Sequence, residues 1–195
     1  MIIGMETNRS GRFILAALTL GLALCGTTVG VSAQRPTLAP YVPTPQDVVE
    51  RMLALAEVTS QDTVYDLGCG DGRVVITAAK KYGARGVGID IDKDRIDESR
   101  RNAREAGVAS LVRFERGDIL EANVSGATVV TLYLVSSANL KLRPILTKQL
   151  APGARIVSHS FGMGDWKPDK VDKFTDGRGD QRTLYLWRTD GTVRP

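Results

Sequence analysis

The sequence predicts an α/β fold built on a doubly wound, mostly parallel sheet of seven strands. From residue 44 onward, short β-branched and apolar runs alternate with longer stretches that have helical spacing. Such alternation is typical of a parallel sheet with helices on both faces. The last two apolar runs are separated only by the glycine-rich turn 176–180, so we expect an antiparallel C-terminal hairpin strand at one edge of the sheet.

The first 34 residues form a separate segment. Residues 13–33 contain no charged residue, and Arg9 and Arg12 precede them. A basic start, an apolar core and small residues before a cleavage point characterise a secretory signal, and residues 31–33 (VSA) supply that end. A membrane anchor of about 20 residues is the alternative, but Gly26 and Gly30 weaken the second half as a span. We predict a signal peptide or N-terminal membrane anchor over 1–34, and the small residues favour the signal peptide.

The rest of the chain has the length and composition of one domain. After a proline-containing linker over 35–43, residues 44–195 form the predicted domain. The net charge of +4 and the absence of basic runs give little support to nucleic-acid binding. Two cysteines, Cys25 and Cys69, cannot build a disulfide framework.

The predicted elements follow from periodicity, caps and breakers. The first helix begins at the N-cap Thr44, with Pro45 in its first turn, and runs to Ala56. Glycines at 83 and 107 end the second and third helices. The other predicted helices are 73–82, 93–106 and 140–150, and the strands are 63–67, 86–91, 112–115, 127–134, 154–161, 171–174 and 183–188.

A glycine-rich loop, D-L-G-C-G-D-G over 66–72, joins the first strand to the second helix. Gly68, Gly70 and Gly72 permit a tight turn and a close approach of the backbone to a ligand. The loop lies at the carboxyl end of a strand, where open α/β sheets bind ligands. Its spacing differs from the pyrophosphate-binding G-x-G-x-x-G pattern, and Asp66 and Asp71 would repel a pyrophosphate. The two acids would instead attract the cationic amino and sulfonium groups of S-adenosylmethionine.

Two further acids follow the next two strands. Asp90, beside Ile91, ends the second strand and can accept hydrogen bonds from both ribose hydroxyls. Asp118, beside Ile119, follows the third strand and would reach the adenine amino group. Each acid has a simpler explanation as a cap or turn residue, most plainly Asp118. Glycines and acids at three successive strand ends nevertheless favour a Rossmann-like site for S-adenosylmethionine.

These motifs resemble a known enzyme class. The segments VYDLGCGDGRVVI, GVGID and RGDIL are similar, in order over 62–190, to class I S-adenosylmethionine-dependent methyltransferases. A narrower similarity covers 40–168, carried by YVPT at 41–44, the glycine loop, PGARIVS at 152–158 and WKP at 166–168. These segments resemble the membrane-anchored lysine methyltransferases that modify the ATP synthase c-subunit and the adenine nucleotide translocase. This resemblance implies a protein-lysine substrate.

The acceptor site is expected at the ends of the fourth and fifth strands. A lysine amine must be neutral to attack, and a dry aromatic pocket lowers its pKa by desolvation. Tyr41, Thr44, Tyr133 and Trp166 are the candidate pocket residues, and no Asn/Asp-Pro-Pro-aromatic motif of nucleic-acid amine methyltransferases follows the fourth strand.

Tyr133, Asn139 and His159 are the candidate catalytic residues. His159, the only histidine, could serve as a base, although a histidine hydrogen-bonded within the sheet is the interpretation that we favour. No Cys/His cluster has metal-ligand spacing, so no metal site is expected.

The leading hypothesis is therefore an S-adenosylmethionine-dependent protein-lysine N-methyltransferase. A small-molecule methyltransferase and a catalytically silent, membrane-tethered module that binds the cofactor are the alternatives. The sequence leaves the oligomeric state open. It also leaves open the side of the membrane that the domain occupies. Arg9 and Arg12 favour a cytoplasmic N-terminus and hence an exported domain, but such a domain would lie away from where S-adenosylmethionine is made.

Overall fold

The computed structural model describes residues 38–195. The predicted signal peptide or anchor, and the first residues of the predicted linker, lie outside this part of the chain. The helices are α1 (Gln46–Leu55), α2 (Arg73–Tyr82), α3 (Lys93–Glu105) and α4 (Ser136–Gln149). The strands are β1 (Thr63–Leu67), β2 (Arg85–Asp90), β3 (Val112–Arg116), β4 (Val129–Leu132), β5 (Arg155–His159), β6 (Lys170–Thr175) and β7 (Gln181–Arg188).

The seven strands form one sheet in the order β3-β2-β1-β4-β5-β7-β6. Strands β1 to β5 pair in parallel, whereas β7 runs antiparallel to both β5 and β6. The predicted fold class, including the C-terminal hairpin, is confirmed. The order reverses between β1 and β4, the neighbouring strands at which α/β sheets of this kind bind ligands.

Two hydrophobic layers cover the faces of the sheet. On one face α1, α2 and α3 pack against side chains such as Val64, Val129 and Val157. On the other face α4 and the β3–β4 connection pack against alternate residues of the same strands, including Leu67 and Ile156. Every residue of β4 is buried, as expected for a central strand covered on both sides. None of the helices within 38–195 has the length and apolarity that crossing a membrane requires.

The element boundaries depart from prediction around α4 and β5. Helix α4 begins at Ser136, four residues before its predicted start, so β4 ends at Leu132. Strand β5 ends at His159, because Ser160 adopts φ 64° and turns the chain away from the sheet. These differences arise because hydrophobicity alone does not show where an apolar run leaves the sheet.

The start of α1 also differs by one residue. Pro45, with φ −54° and ψ 147°, occupies the N-cap position that was predicted for Thr44. Thr44 instead offers its backbone carbonyl to Nη1 of Arg73 at 2.7 Å. The N-cap has an extended backbone, and the fixed φ of proline suits that position as well as the first helical turn.

Candidate active site

The glycine loop between β1 and α2 lies at the carboxyl edge of the sheet. The backbone N–H groups of Gly68 and Cys69 both donate to the carbonyl of Ile89, at 2.8 and 3.0 Å. Gly68, Gly70 and Gly72 all have positive φ, between 53° and 81°. The loop is thereby tied to the end of β2, where Asp90 lies.

Aromatic rings pack directly against two of these glycines. A Cβ atom at Gly70 would lie 2.4 Å from Cε2 of Tyr41, and one at Gly72 would lie 2.6 Å from Cε1 of Phe114. Both distances are far below contact distance, so each ring occupies the space that a side chain would need. The sequence places Tyr41 in the linker, but the structure places it over the glycine loop.

Asp66 is a buried carboxylate at the end of β1. It is 6% exposed, and its Oδ1 accepts a hydrogen bond of 2.7 Å from the Thr131 hydroxyl on β4. The pKa of Asp66 is raised to about 7, mainly by burial and also by the nearby charges of Asp90 and Asp71, while the hydrogen bond from Thr131 opposes the shift. Three carboxylates therefore converge on one end of the sheet, and a cationic ligand would relieve their repulsion.

Asp90 holds the loop and the next helix together. One of its oxygens accepts from the Gly70 N–H and the other from the Asp92 N–H, both at 2.9 Å. Each carboxylate oxygen has two lone pairs, so both can accept a second hydrogen bond. The two hydroxyls of a ribose are donors of the required kind.

Asp71 differs from Asp66, the other loop acid, because its charge is paired with that of Arg73. The Arg73 guanidinium forms a fork with it, with Nη2 at 2.5 Å and Nε at 2.9 and 3.1 Å. Although burial opposes the ionised form, this pairing holds the pKa of Asp71 below its ordinary value. Its charge is largely balanced by Arg73, which leaves Asp66 and Asp90 as the acids available to a cation.

Tyr41 is held over the loop from the side of α3. The Arg95 guanidinium lies 4.7 Å from the centre of its ring, a cation–π geometry. Burial and the neighbouring Asp71 raise the pKa of the Tyr41 hydroxyl. Tyr41, predicted as a wall of the acceptor pocket, thus lies beside the glycine loop of the predicted cofactor site.

Asp118 lies on the turn after β3. Its Oδ1 accepts from the Leu120 N–H at 2.9 Å, and the preceding Gly117 N–H donates to the Asp90 carbonyl at 2.9 Å. Ile119 is buried, whereas Ile91 offers its carbonyl to Nε of Arg116 at 3.2 Å. The turn that carries Asp118 is therefore joined to the turn that carries Asp90 at the same edge.

A second group of side chains lies at the ends of β4 and β5. The rings of Tyr133 and His159 have centroids 4.0 Å apart, and Phe161 lies 6.5 Å from Tyr133 on centroids. His159 is fully buried, and neither of its ring nitrogens has a hydrogen-bond partner among residues 38–195. The favoured interpretation of His159 as a hydrogen-bonded sheet residue was wrong.

Asn139 fixes the turn that follows β5. Its Nδ2 lies 3.1 Å from Ser158 Oγ, 3.0 Å from the Phe161 carbonyl and 3.3 Å from the Gly162 carbonyl. The side chain is completely buried. It holds the segment that presents Phe161 to Tyr133, and its predicted catalytic role stays a prediction.

Trp166 belongs to a different environment from the other predicted pocket residues. Its ring centroid lies 6.0 Å from that of Trp187, and the Arg194 guanidinium covers it at 4.5 Å. Within residues 38–195, no ring contact joins it to Tyr41 or Tyr133. The predicted wall of Tyr41, Tyr133 and Trp166 is not assembled as one cluster, because the segment after β5 carries Trp166 to the α4 face.

Some residues of the site were missed by the sequence analysis. Thr131 supports Asp66, Phe161 extends the Tyr133 cluster, and Arg182 with its partner Asp176 lies close enough to influence His159. The alternation of β4 could have identified Thr131, whose side chain faces the same side as Asp66 in the neighbouring strand. No sequence signal indicated the ion pair of Arg182 and Asp176. No group of His, Cys, Asp and Glu within 38–195 could hold a metal ion.

Comparisons with known proteins agree with this geometry. A family model described as the ANTKMT methyltransferase domain matches residues 66–170. The chain is 46% identical over 149 residues to a protein-lysine N-methyltransferase of Saccharolobus islandicus, covering 76% of this chain and 92% of that protein. It is 29% identical over 163 residues to the human lysine N-methyltransferase of the ATP synthase c-subunit, covering 82% of this chain and 69% of that protein.

A crystal structure is also similar. It is described as an RNA methyltransferase from Salinibacter ruber in complex with S-adenosyl-L-homocysteine, with 56% sequence identity and a TM-score of 0.73. The match covers 78% of this chain and 97% of that chain. The ligand in that structure is the demethylated form of the cofactor that the strand-end acids predict.

Proposed function

Because this chain belongs to the ANTKMT methyltransferase family, a class I family that uses S-adenosylmethionine, we propose that it transfers the methyl group to the side-chain amine of a protein lysine. The observation that carries the choice of acceptor is the 46% identity to a protein-lysine N-methyltransferase of which this chain covers 92%. Two further lysine methyltransferases, a human one for the ATP synthase c-subunit and a mouse one for the adenine nucleotide translocase, match at 29% and 32%.

The described residues fit S-adenosylmethionine. Its amino group suits the buried Asp66, whose pKa is raised mainly by burial and also by the charges of Asp90 and Asp71. The ribose hydroxyls suit Asp90 with Ile91 beside it, and the adenine suits the turn of Asp118 and Ile119. Gly68, Gly70 and Gly72, all with positive φ, form the tight turn that brings the loop backbone next to Asp90. When bound, the cofactor supplies a methyl group on a cationic sulfonium.

The acceptor pocket fits an amine. Tyr133, His159 and Phe161 offer aromatic faces and no carboxylate, so an ammonium group gains little charge pairing there. Desolvation in such surroundings favours the neutral amine, which is the reactive form. Holding that amine in line with the methyl group is the main contribution that the protein can make.

RNA is the second candidate acceptor, because the similar Salinibacter ruber structure is described as an RNA methyltransferase. Arg100, Arg104 and Arg113 line a groove of about 310 Å³ beside β3, which gives a basic surface at the sheet edge. Arg113 is paired with Glu115 and Arg100 with Asp97, so much of this charge is balanced locally. We therefore place RNA after lysine.

One experiment separates the two acceptors. The full chain would be incubated with methyl-labelled cofactor and, in parallel, with detergent-solubilised membrane protein, soluble protein and total RNA. Methyl-lysine in hydrolysates of the protein fractions supports the proposal. Label confined to RNA or to small molecules would reject it. Asp90→Ala is the matched control, because it should abolish incorporation into every fraction.

We also propose that the N-terminal apolar segment directs the domain to a membrane, as an export signal or as an anchor. The run of 21 uncharged residues at 13–33 supports this proposal. Reporters active on only one side of the membrane, fused after Pro195, would locate the domain. The same reporter location with and without residues 1–34, and no membrane fraction, would contradict a targeting role.

A further inference from the structure

The strand registers place three elements of the site in one row. Leu67 pairs with Leu132 and Leu132 with Ser158, so the next positions, Gly68, Tyr133 and His159, lie side by side at the carboxyl edge. Neighbouring strands are about 4.8 Å apart, so His159 is roughly 10 Å from the glycine loop. The distance is suitable for a group that contacts the acceptor while the cofactor lies on the loop.

His159 has an unusual environment for a buried polar residue. Both ring nitrogens are buried and unpartnered, although buried polar groups are nearly always hydrogen-bonded. The nearest ring is Tyr133, which stacks on the imidazole and offers it no hydrogen bond in this structure. An apolar ring would fill this space without the cost of burying two unpaired nitrogens. The nitrogens of His159 therefore indicate that a hydrogen-bond donor binds to the ring during the reaction.

The charges around His159 keep the ring uncharged. Its pKa is lowered to about 4, mainly by burial and also by the charge of Arg182, while Asp176 opposes the shift. Asp176 is itself paired with Arg182 at 2.7 Å, and that ion pair is largely buried. At neutral pH the ring therefore has one nitrogen with a free lone pair, which can accept a hydrogen bond but does not repel an approaching amine.

We propose that the His159 imidazole accepts a hydrogen bond from the methyl-accepting lysine amine and so points the nitrogen lone pair at the sulfonium methyl. This inference rests on the proposed lysine acceptor. It assigns His159 direct contact with substrate, and it assigns the Tyr133 ring the role of holding the imidazole in place. The Arg182–Asp176 pair acts on His159 only through its charges.

The step balances without a protein base. The lysine ammonium loses its proton to solvent as it enters the pocket. The neutral nitrogen then forms a bond to the methyl carbon as the carbon–sulfur bond breaks, and sulfur retains the electron pair. The product is a methylammonium, with the cofactor left as its neutral thioether. His159 accepts a hydrogen bond throughout and does not take the proton, in keeping with its low basicity.

The imidazole can be observed directly, since His159 is the only histidine of the chain. Protein without a histidine tag, labelled with ¹⁵N in the histidine ring and saturated with S-adenosylhomocysteine, would be titrated with n-butylamine as an analogue of the lysine side chain. We expect the signal of one ring nitrogen to move in the direction of hydrogen bonding and the other to stay. Unchanged signals of both nitrogens at saturating amine would overturn the proposal.

Kinetics of variants provide a second test, with poly-L-lysine as the acceptor. His159→Phe keeps the ring stack and removes both nitrogens, so kcat should fall roughly tenfold or more, the effect of losing one hydrogen bond in the transition state. The affinity for the cofactor should be unchanged. His159→Asn and His159→Gln, which return an acceptor near the position of Nδ1 or Nε2, should restore activity in one case and identify the nitrogen.

Different results would overturn the proposed role of His159 and the proposed lysine acceptor. A His159→Phe enzyme with wild-type kcat and higher thermal stability would show that the imidazole is dispensable, while methylation of lysine by the wild type would still stand. Methyl transfer to RNA and none to lysine in the wild type would overturn both. If His159→Phe does not fold, the titration of the wild-type imidazole decides alone.

Discussion

Asp66 is held as a carboxylate in surroundings that oppose its charge. It is buried at the end of β1, with two other acids nearby and a single hydroxyl donor, Thr131. Its pKa of about 7 means that the free protein is partly protonated at this position near neutral pH. A cationic amine would reverse this balance, so binding of the cofactor and ionisation of Asp66 should be coupled.

We predict that Asp66→Asn weakens S-adenosylmethionine binding roughly tenfold to a hundredfold at pH 8, because hydrogen bonds to charged groups contribute about 1.5–3 kcal/mol. The wild-type affinity should rise with pH as Asp66 ionises, through about pH 7, whereas that of the variant should stay flat. Isothermal titration at a series of pH values measures both. Asp97→Asn, at a half-buried position on α3, is the control, and equal profiles for all three proteins would contradict the role of Asp66.

At the level of elements, the junction between β1 and α2 depends on Gly72 for two separate reasons. It has φ 80° at the N-cap of α2, and the Phe114 ring lies where a Cβ would be. Gly107, which ends α3, has φ 72° but nothing within 4 Å of a Cβ. The two glycines share the backbone requirement and differ only in packing.

Alanine substitutions at Gly107 and Gly72 separate the cost of backbone strain from the cost of steric conflict with Phe114. Gly107→Ala should destabilise the domain by about 1–2 kcal/mol, the cost of a left-handed residue with a side chain. Gly72→Ala should cost a further 1–3 kcal/mol or so, because overpacking must displace Phe114, and it should also weaken cofactor binding. Urea unfolding gives the free energies, and equal losses in the two variants would show that Phe114 yields without cost.

The turn after β5 depends on a contact between elements. Asn139 of α4 donates to the turn that carries Phe161, so Asn139→Ala should destabilise the domain by roughly 2–3 kcal/mol through unpaired buried groups. We also expect kcat to fall while the affinity for the cofactor is kept. Asn123→Ala, at an exposed position, should change stability by less than about 0.5 kcal/mol. Matching urea profiles for the two variants would contradict the assignment.

At the level of the whole molecule, two buried groups impose opposite pH dependences on stability. The pKa of Asp66 is raised from 3.8 to about 7, so between those values the folded state binds more protons and stability falls as pH rises. The pKa of His159 is lowered from 6.5 to about 4, so the unfolded state binds more protons and stability rises with pH. The two trends largely cancel between pH 4 and 6.5.

Replacing either Asp66 or His159 should reveal the pH dependence of stability that the other group causes. In the absence of cofactor, the stability of Asp66→Asn should rise from pH 4 to 6.5, and that of His159→Phe should fall from pH 4 to 7. Each unit of pKa difference corresponds to about 1.4 kcal/mol, so urea unfolding across this range can resolve the slopes. Acids with lowered pKa values, such as Asp62, affect stability only below about pH 4. Parallel profiles for the wild type and both variants would contradict this account.

Local signals in the chain were sufficient to predict most of the fold. Alternating runs, caps and glycines indicated all seven strands and four helices, because each depends on neighbours in sequence. The same holds for the acids at strand ends, since the parallel sheet brings the carboxyl ends of its strands to one edge. The boundaries of β4, α4 and β5 could not be predicted, because an apolar run does not show where the chain leaves the sheet.

The sequence by itself determined that acids and a glycine loop meet at one edge of a parallel sheet, because parallel strands present their carboxyl ends at the same edge. Only the tertiary structure decided what each side chain touches. Tyr41 lies over Gly70, and Asp71 is paired with Arg73. Trp166 lies on the α4 face of the sheet, and the nitrogens of His159 have no partner among residues 38–195. Tyr41 and Gly70, like Trp166 and Trp187, are far apart in the chain, so the packing that brings them together depends on the whole fold.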